Sequence, residues 1–129
     1  MSESLLAEIN TYCRADPDVE RCGLLAGRGE SVTRFYPARN IAEDPAHRFV
    51  VAPEDQLASL RAMNQAREEL LGIVHSHPNS PARPSSTDLA LAAYPGLAYL
   101  IISLADSITP CGCYLYQNSA FHALPLVLV

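Results

Sequence analysis

Apolar positions along the chain fall into short runs with clear stops between them. Leu5, Leu6, Ile9, Tyr12 and Cys13 recur at helical spacing, and Asp16-Pro17 ends that run. Residues 22–26 form an apolar stretch bounded by Gly27 and Gly29, which predicts a buried strand. Ser31–Ala38, with Val32 and Phe35-Tyr36 as strand formers, predicts its hairpin partner, and residues 47–51 predict a further short strand. Pro53-Glu54-Asp55 puts proline and acids where a helix begins. Leu57, Leu60, Met63 and Leu70 then carry an apolar stripe to about Leu71. Gly72-Ile73-Val74 opens a buried strand that runs into His75-Ser76-His77. A loop holding Pro78, Pro81 and Pro84 leads to a helix over 86–94, and residues 97–104, 113–116 and 121–129 read as closing strands. Helices alternating with mostly β segments predict an α/β sandwich, a mixed β-sheet flanked by helices, with its strand order left open.

Charge changes this picture in one respect. Of 23 charged side chains, only Asp106 follows Asp88, so the last third of the chain is nearly uncharged. Residues 89–105 are nevertheless interrupted by Pro95-Gly96, which stops a helix and argues against a membrane span. The start, Met1-Ser2-Glu3-Ser4, is acidic and lacks the basic opening of a signal peptide. A soluble, cytoplasmic chain forming one domain over 1–129 is the expectation. A net charge of −5, with all nine basic residues Arg, offers no footprint for a nucleic-acid backbone. Cys13, Cys22, Cys111 and Cys113 form no Cys-x-x-Cys pair, which argues against a cysteine zinc knuckle and leaves buried free thiols as the plain reading.

The candidate chemistry sits at the end of the Gly72–Val74 run. In a strand, residues two apart face the same side, so His75 and His77 can reach one ion. Imidazole suits zinc and a carboxylate is a common third ligand; Asp88, at the start of the next helix, is the candidate. Three protein ligands leave a fourth position for water, the mark of a catalytic zinc. Ser85-x-x-Asp88 also matches a capping box, which by itself would explain Ser85 as a helix cap. A nucleobase deaminase is excluded because neither His-x-Glu nor Pro-Cys-x-x-Cys occurs, and a helical zincin because His-Glu-x-x-His is absent.

His75-Ser76-His77-Pro78 with Ser85-x-x-Asp88 resembles the JAMM signature of the Mov34/MPN/PAD-1 metallopeptidases. Glu20-Arg21-Cys22-Gly23-Leu24-Leu25 is similar to the segment that carries the catalytic glutamate of that family. The resemblance implies the MPN/JAB1 fold, a cytidine-deaminase-like sandwich, and one zinc ion held by His75, His77 and Asp88. It implies Glu20 as general base and Ser85 as the donor to the tetrahedral oxyanion, a role that competes with capping for one hydroxyl. It further implies hydrolysis of an amide bond after the Gly-Gly end of a ubiquitin-like or sulfur-carrier protein; residues 40–49 are the candidate substrate-contacting connection, with a plain surface loop as the alternative. The short chain looks like the compact bacterial members. Homodimer formation stays open, and neither nucleic acid nor membrane is expected as a partner. A non-catalytic MPN-type scaffold, or a peptidase acting on cell-wall or phage-tail peptides, are the alternatives.

Overall fold

A computed structural model describes residues 1–129. The elements in chain order are α1 (Glu3–Arg14), β1 (Cys22–Arg28), β2 (Ser31–Ala38), α2 (Pro53–Gln65), β3 (Glu69–His77), α3 (Ser86–Leu91), β4 (Ala98–Ser103), β5 (Cys111–Gln117) and β6 (Ala120–Leu124). The six strands make one sheet in the order β2-β1-β3-β4-β5-β6. Only β3 and β4 run parallel, so the sheet is mixed, as the alternation of elements predicts.

The alternation of side chains along each strand decides what lies on each face. Leu25, Val74, Leu100 and Ile102 point to one side and bury the apolar face of α1 through Leu5, Ile9 and Cys13. Leu24, Ala26, Ile73 and Tyr99 point to the other and pack with Met63 of α2. Odd-numbered His75 and His77 follow Ile73 onto the α2 side, while Ser76 shares the α1 side with Val74. Gly23 has a steric reason to be glycine: a Cβ there would strike the Phe35 ring and lie 2.6 Å from the Tyr36 carbonyl oxygen.

Four expectations miss by more than two residues. Residues 47–51 are not a strand; they are an irregular connection held by a single bridge, Asn40 to Val51. The second helix stops at Gln65, and Leu70 and Leu71 belong to β3. The stop is a Schellman turn, with Glu68 N–H bonding the Met63 carbonyl at 2.8 Å and Arg67 N–H the Asn64 carbonyl at 3.2 Å. Its left-handed residue is Arg67, at φ 57°, where glycine is usual, so the stop has no sequence signal. The third helix ends at Leu91, with Ala92 already extended ahead of Pro95. The last strand ends at Leu124; beyond it, Val129 N–H bonds the Met1 carbonyl at 3.1 Å. No helix is long and apolar enough to cross a membrane.

Candidate metal centre and active site

The site lies at the carboxyl end of β3, where that strand leaves its parallel partner β4 and the chain crosses over through α3. Crevices at such strand ends are where open α/β sheets bind ligands. Strand pairing brings the distant segment in. Cys22 of β1 pairs antiparallel with His75, so Glu20, two residues earlier, falls across from His77. The pairing continues past β1, with Arg21 N–H bonding Ser76 Oγ and Ser76 N–H bonding the Arg21 carbonyl, each at 2.9 Å. Asp88 enters from the first turn of α3.

These four side chains converge. Ligand atoms of Glu20, His75, His77 and Asp88 all lie within 4.8 Å of one another, and all four residues are buried. His75 Nε2 is 3.1 Å from His77 Nε2 and 3.2 Å from Asp88 Oδ1, and His77 Nε2 is 3.1 Å from Asp88 Oδ2. His77 Nδ1–H donates to the Pro81 carbonyl at 2.8 Å, and since a carbonyl only accepts, this fixes the ring with its Nε2 lone pair facing Asp88. The His77 Nε2 lone pair, His75 Nε2 and the Asp88 carboxylate thus converge on one point, where a shared cation, a proton or a metal ion, would join them. The edge of a tetrahedron with zinc–nitrogen bonds of about 2.0–2.1 Å is roughly 3.3 Å, close to these separations. The donor set fits zinc.

Electrostatics agree. Burial opposes ionising Asp88, but hydrogen bonds to His75 and His77 outweigh it and hold the carboxyl well below its usual range. Burial lowers the His75 pKa, keeping the ring in the neutral form that ligation requires. Glu20 is 5% exposed, and its Oε1 is buried with no hydrogen-bond partner. Burial, opposed in part by His77, pushes its pKa up to about 7. A carboxylate poised there is suited to take and return a proton near neutrality. His75 Nδ1 is also buried without a partner, with its ring stacked on Phe49 at 4.4 Å between centroids.

Ser85 caps α3: its Oγ accepts the Asp88 N–H at 3.0 Å, while Asp88 Oδ2 accepts the Ser85 N–H at 2.9 Å. Capping would not by itself use up the hydroxyl that a donor to an oxyanion needs. A hydroxyl carries two acceptor lone pairs and one donor; the cap uses a lone pair and leaves the O–H free. The same box fixes the Asp88 carboxylate, so the cap also orients this candidate ligand.

One site residue went unread in the sequence. Asn40 uses every hydrogen-bonding position of its amide: Nδ2 donates to the carbonyls of Glu20 at 2.8 Å and Arg48 at 3.0 Å, and Oδ1 accepts the N–H groups of Ala42 and Val50, each at 3.0 Å. With Glu20 N–H bonding the Pro45 carbonyl at 2.7 Å, it ties the 41–50 connection to the backbone of Glu20. Only a marker for a fully satisfied amide could have revealed it, and a sequence has none. Asn40→Ala is expected to lower stability by about 2–3 kcal/mol, read by urea unfolding, because it strands two carbonyls and two N–H groups. Beside the centre, a cavity of about 300 Å³ is lined by Phe49, Val51, Ile73 and Tyr99 together with His75 and Asp88.

A mixed α/β sheet that gathers two histidines and two carboxylates at one strand end defines an α/β protein with a candidate metal centre. More narrowly, the chain belongs to Prok-JAB, the prokaryotic homologs of the JAB domain, whose family model matches residues 2–113. It is similar to the desampylase of Haloferax volcanii, 37% identical over 103 residues that span 78% of this chain and 74% of that protein. It is similar as well to a probable TtuB-protein conjugate cleaving protease of Thermus thermophilus, 36% identical over 90 residues, 70% of this chain and 60% of that protein. The solution structure of protein DSY2949 from Desulfitobacterium hafniense matches with a TM-score of 0.88 at 36% identity, covering 99% of this chain and 90% of that one.

Proposed function

We propose that the chain is a zinc-dependent peptidase or isopeptidase that hydrolyses the amide bond after the Gly-Gly end of a ubiquitin-like or sulfur-carrier protein. The observation that carries this reading is the convergence of His75, His77 and Asp88 beside a buried, unpartnered glutamate. A partner-binding scaffold has no use for that costly burial of charge. The names of the Haloferax and Thermus relatives support the conjugate-cleaving activity.

His75 Nε2, His77 Nε2 and an oxygen of Asp88 would hold the zinc, with the Pro81 carbonyl and the Ser85 N–H orienting two of these ligands. Zinc, when bound, supplies Lewis acidity and lowers the pKa of water toward about 7. Glu20 Oε1 takes a proton from the attacking water and delivers it to the nitrogen of the leaving amine. The free Ser85 O–H donates to the oxygen that becomes negative as the carbonyl turns tetrahedral. The adjoining cavity of about 300 Å³, lined by Phe49 and Tyr99, gives room for an apolar side chain of the substrate.

The test presents zinc-loaded protein with sulfur-carrier fusions that continue beyond Gly-Gly, followed by mass spectrometry. Release of the carrier with its Gly-Gly end intact is the expected result. Cleavage of cell-wall peptides alone would replace the substrate class, and cleavage of neither would return the scaffold reading.

A further inference from the structure

The loop over 78–85 that delivers Ser85 is held in an unusual way. Three of its residues, Pro78, Pro81 and Pro84, have no N–H, so the loop has few donors with which to pair to the sheet. It is instead gripped by its carbonyls. The carbonyl of Ser80 accepts from Ser103 Oγ at 2.7 Å, that of Pro81 from His77 Nδ1 at 2.8 Å, and that of Ala82 from the Tyr114 hydroxyl at 2.8 Å. Three consecutive carbonyls are therefore anchored by three side chains from three adjacent strands, β4, β3 and β5. Ser103 is engaged elsewhere too, accepting the N–H groups of Ala105 and Asp106, and His77 is a ligand candidate. Tyr114 has no second bond.

The sheet surface is shaped for this contact. Gly112, two residues before Tyr114 on β5, lies directly under the loop: a Cβ there would strike the Ala82 carbonyl oxygen and come within 2.9 Å of the Tyr114 ring and hydroxyl. Ala82 itself is buried. The loop thus descends onto a strand position that only glycine allows, and the Tyr114 hydroxyl fastens it there.

We propose that Tyr114 is a positioning residue for Ser85. Its hydroxyl fixes the Ala82 carbonyl, three residues upstream of the serine, and so sets the point from which the Ser85 O–H meets the developing oxyanion. Gly112 provides the clearance that lets the contact form. The Ser85 half of this statement rests on the peptidase reading; the mechanical half does not.

Tyr114→Phe keeps the ring and removes only the anchor, and Gly112→Ala displaces the Ala82 carbonyl without removing a donor. Both variants are compared with wild type, zinc-loaded, by amide hydrogen exchange and by cleavage kinetics. Exchange at Arg83 and Ser85, whose N–H groups bond the Pro81 carbonyl at 2.8 Å and Asp88 Oδ2 at 2.9 Å, is expected to quicken by about three- to tenfold, the consequence of losing the Tyr114 anchor beside them. The kcat should fall by about tenfold with KM within twofold, because an oxyanion donor acts on the transition state. In a Ser85→Ala background the same substitutions should lower kcat no further. Unchanged exchange overturns the anchor. Faster exchange with unaltered kcat, or a fall in kcat that persists without Ser85, overturns the positioning role. Should wild type cleave no substrate, the peptidase reading fails by itself while the exchange data still decide the anchor. If Tyr114→Phe does not fold, Gly112→Ala carries the same three readouts.

Discussion

Glu20→Gln is expected to lower kcat by about 10²–10⁴-fold while leaving zinc content near one per chain and KM little changed. The magnitude is that of losing a general base, and the isosteric amide keeps the shape of the site. Wild-type activity should rise with pH as Glu20 ionises. In the metal-free chain its carboxyl is pushed up to about 7 by burial, and a bound dication lowers the step from there. The variant should lose that limb of the profile.

A second readout comes from stability, with the sign opposite to that of most carboxylates. Glu20 has a folded pKa raised above its unfolded value, so folding favours its protonated form. In chelated protein its ionisation costs nothing below the unfolded value near 4.5, and the cost grows as pH rises to about 7. Chelated Glu20→Gln stays neutral throughout and should therefore be more stable than wild type at pH 8, by about 1–3 kcal/mol. Thermal unfolding at pH 5 and pH 8 measures it; equal gaps at both would contradict the buried, uncompensated charge. Equal cleavage by wild type and variant would remove Glu20 from the mechanism.

Much of this candidate site could be read before any fold was known, because its candidate ligands sit at fixed spacings inside single elements. His75 and His77 share a strand face by the two-residue period, and Ser85 and Asp88 share a helix turn by the capping period. The same applies to α1 and to the β1–β2 hairpin, whose patterns are local. What escaped was held by tertiary contacts or by residues acting out of type. Arg67 ends α2 in a left-handed conformation that its side chain does not advertise. The 47–51 segment has strand-forming residues but is claimed by the Asn40 amide and by the stacking of Phe49 on His75. Ser103 and Tyr114 hold the Ser80 and Ala82 carbonyls from strands far along the chain, so no spacing in the sequence links them to Ser85.

Asp88→Asn should produce the largest loss of zinc among substitutions that leave the fold intact. The amide oxygen can still accept the Ser85 N–H, which is bonded at 2.9 Å in the wild type, and the backbone N–H of residue 88 still meets Ser85 Oγ. The helix cap therefore survives, whereas Asp88→Ala would lose the cap and the ligand together. What Asp88→Asn removes is the negative charge that, with two neutral imidazoles, makes the point attractive to a dication. Elemental analysis should give about one zinc per wild-type chain and almost none in the variant after desalting, with cleavage lost in proportion. Protons compete for the same place. Burial lowers the His77 pKa, but hydrogen bonds to Asp88 and to the Pro81 carbonyl outweigh it, and the net shift is upward. In chelated protein that shift contributes stability below the ordinary histidine value, and the contribution fades as pH rises through the raised one. Zinc must displace this proton, so its uptake by wild type should weaken as pH falls and should release protons in a calorimetric titration. In Asp88→Asn the hydrogen bond and charge that raise His77 are gone, so the proton release should shrink along with the affinity. A variant that kept its zinc, or a wild type whose uptake ignored pH, would mean that these histidines are packed core residues and that the ion, if any, is held elsewhere.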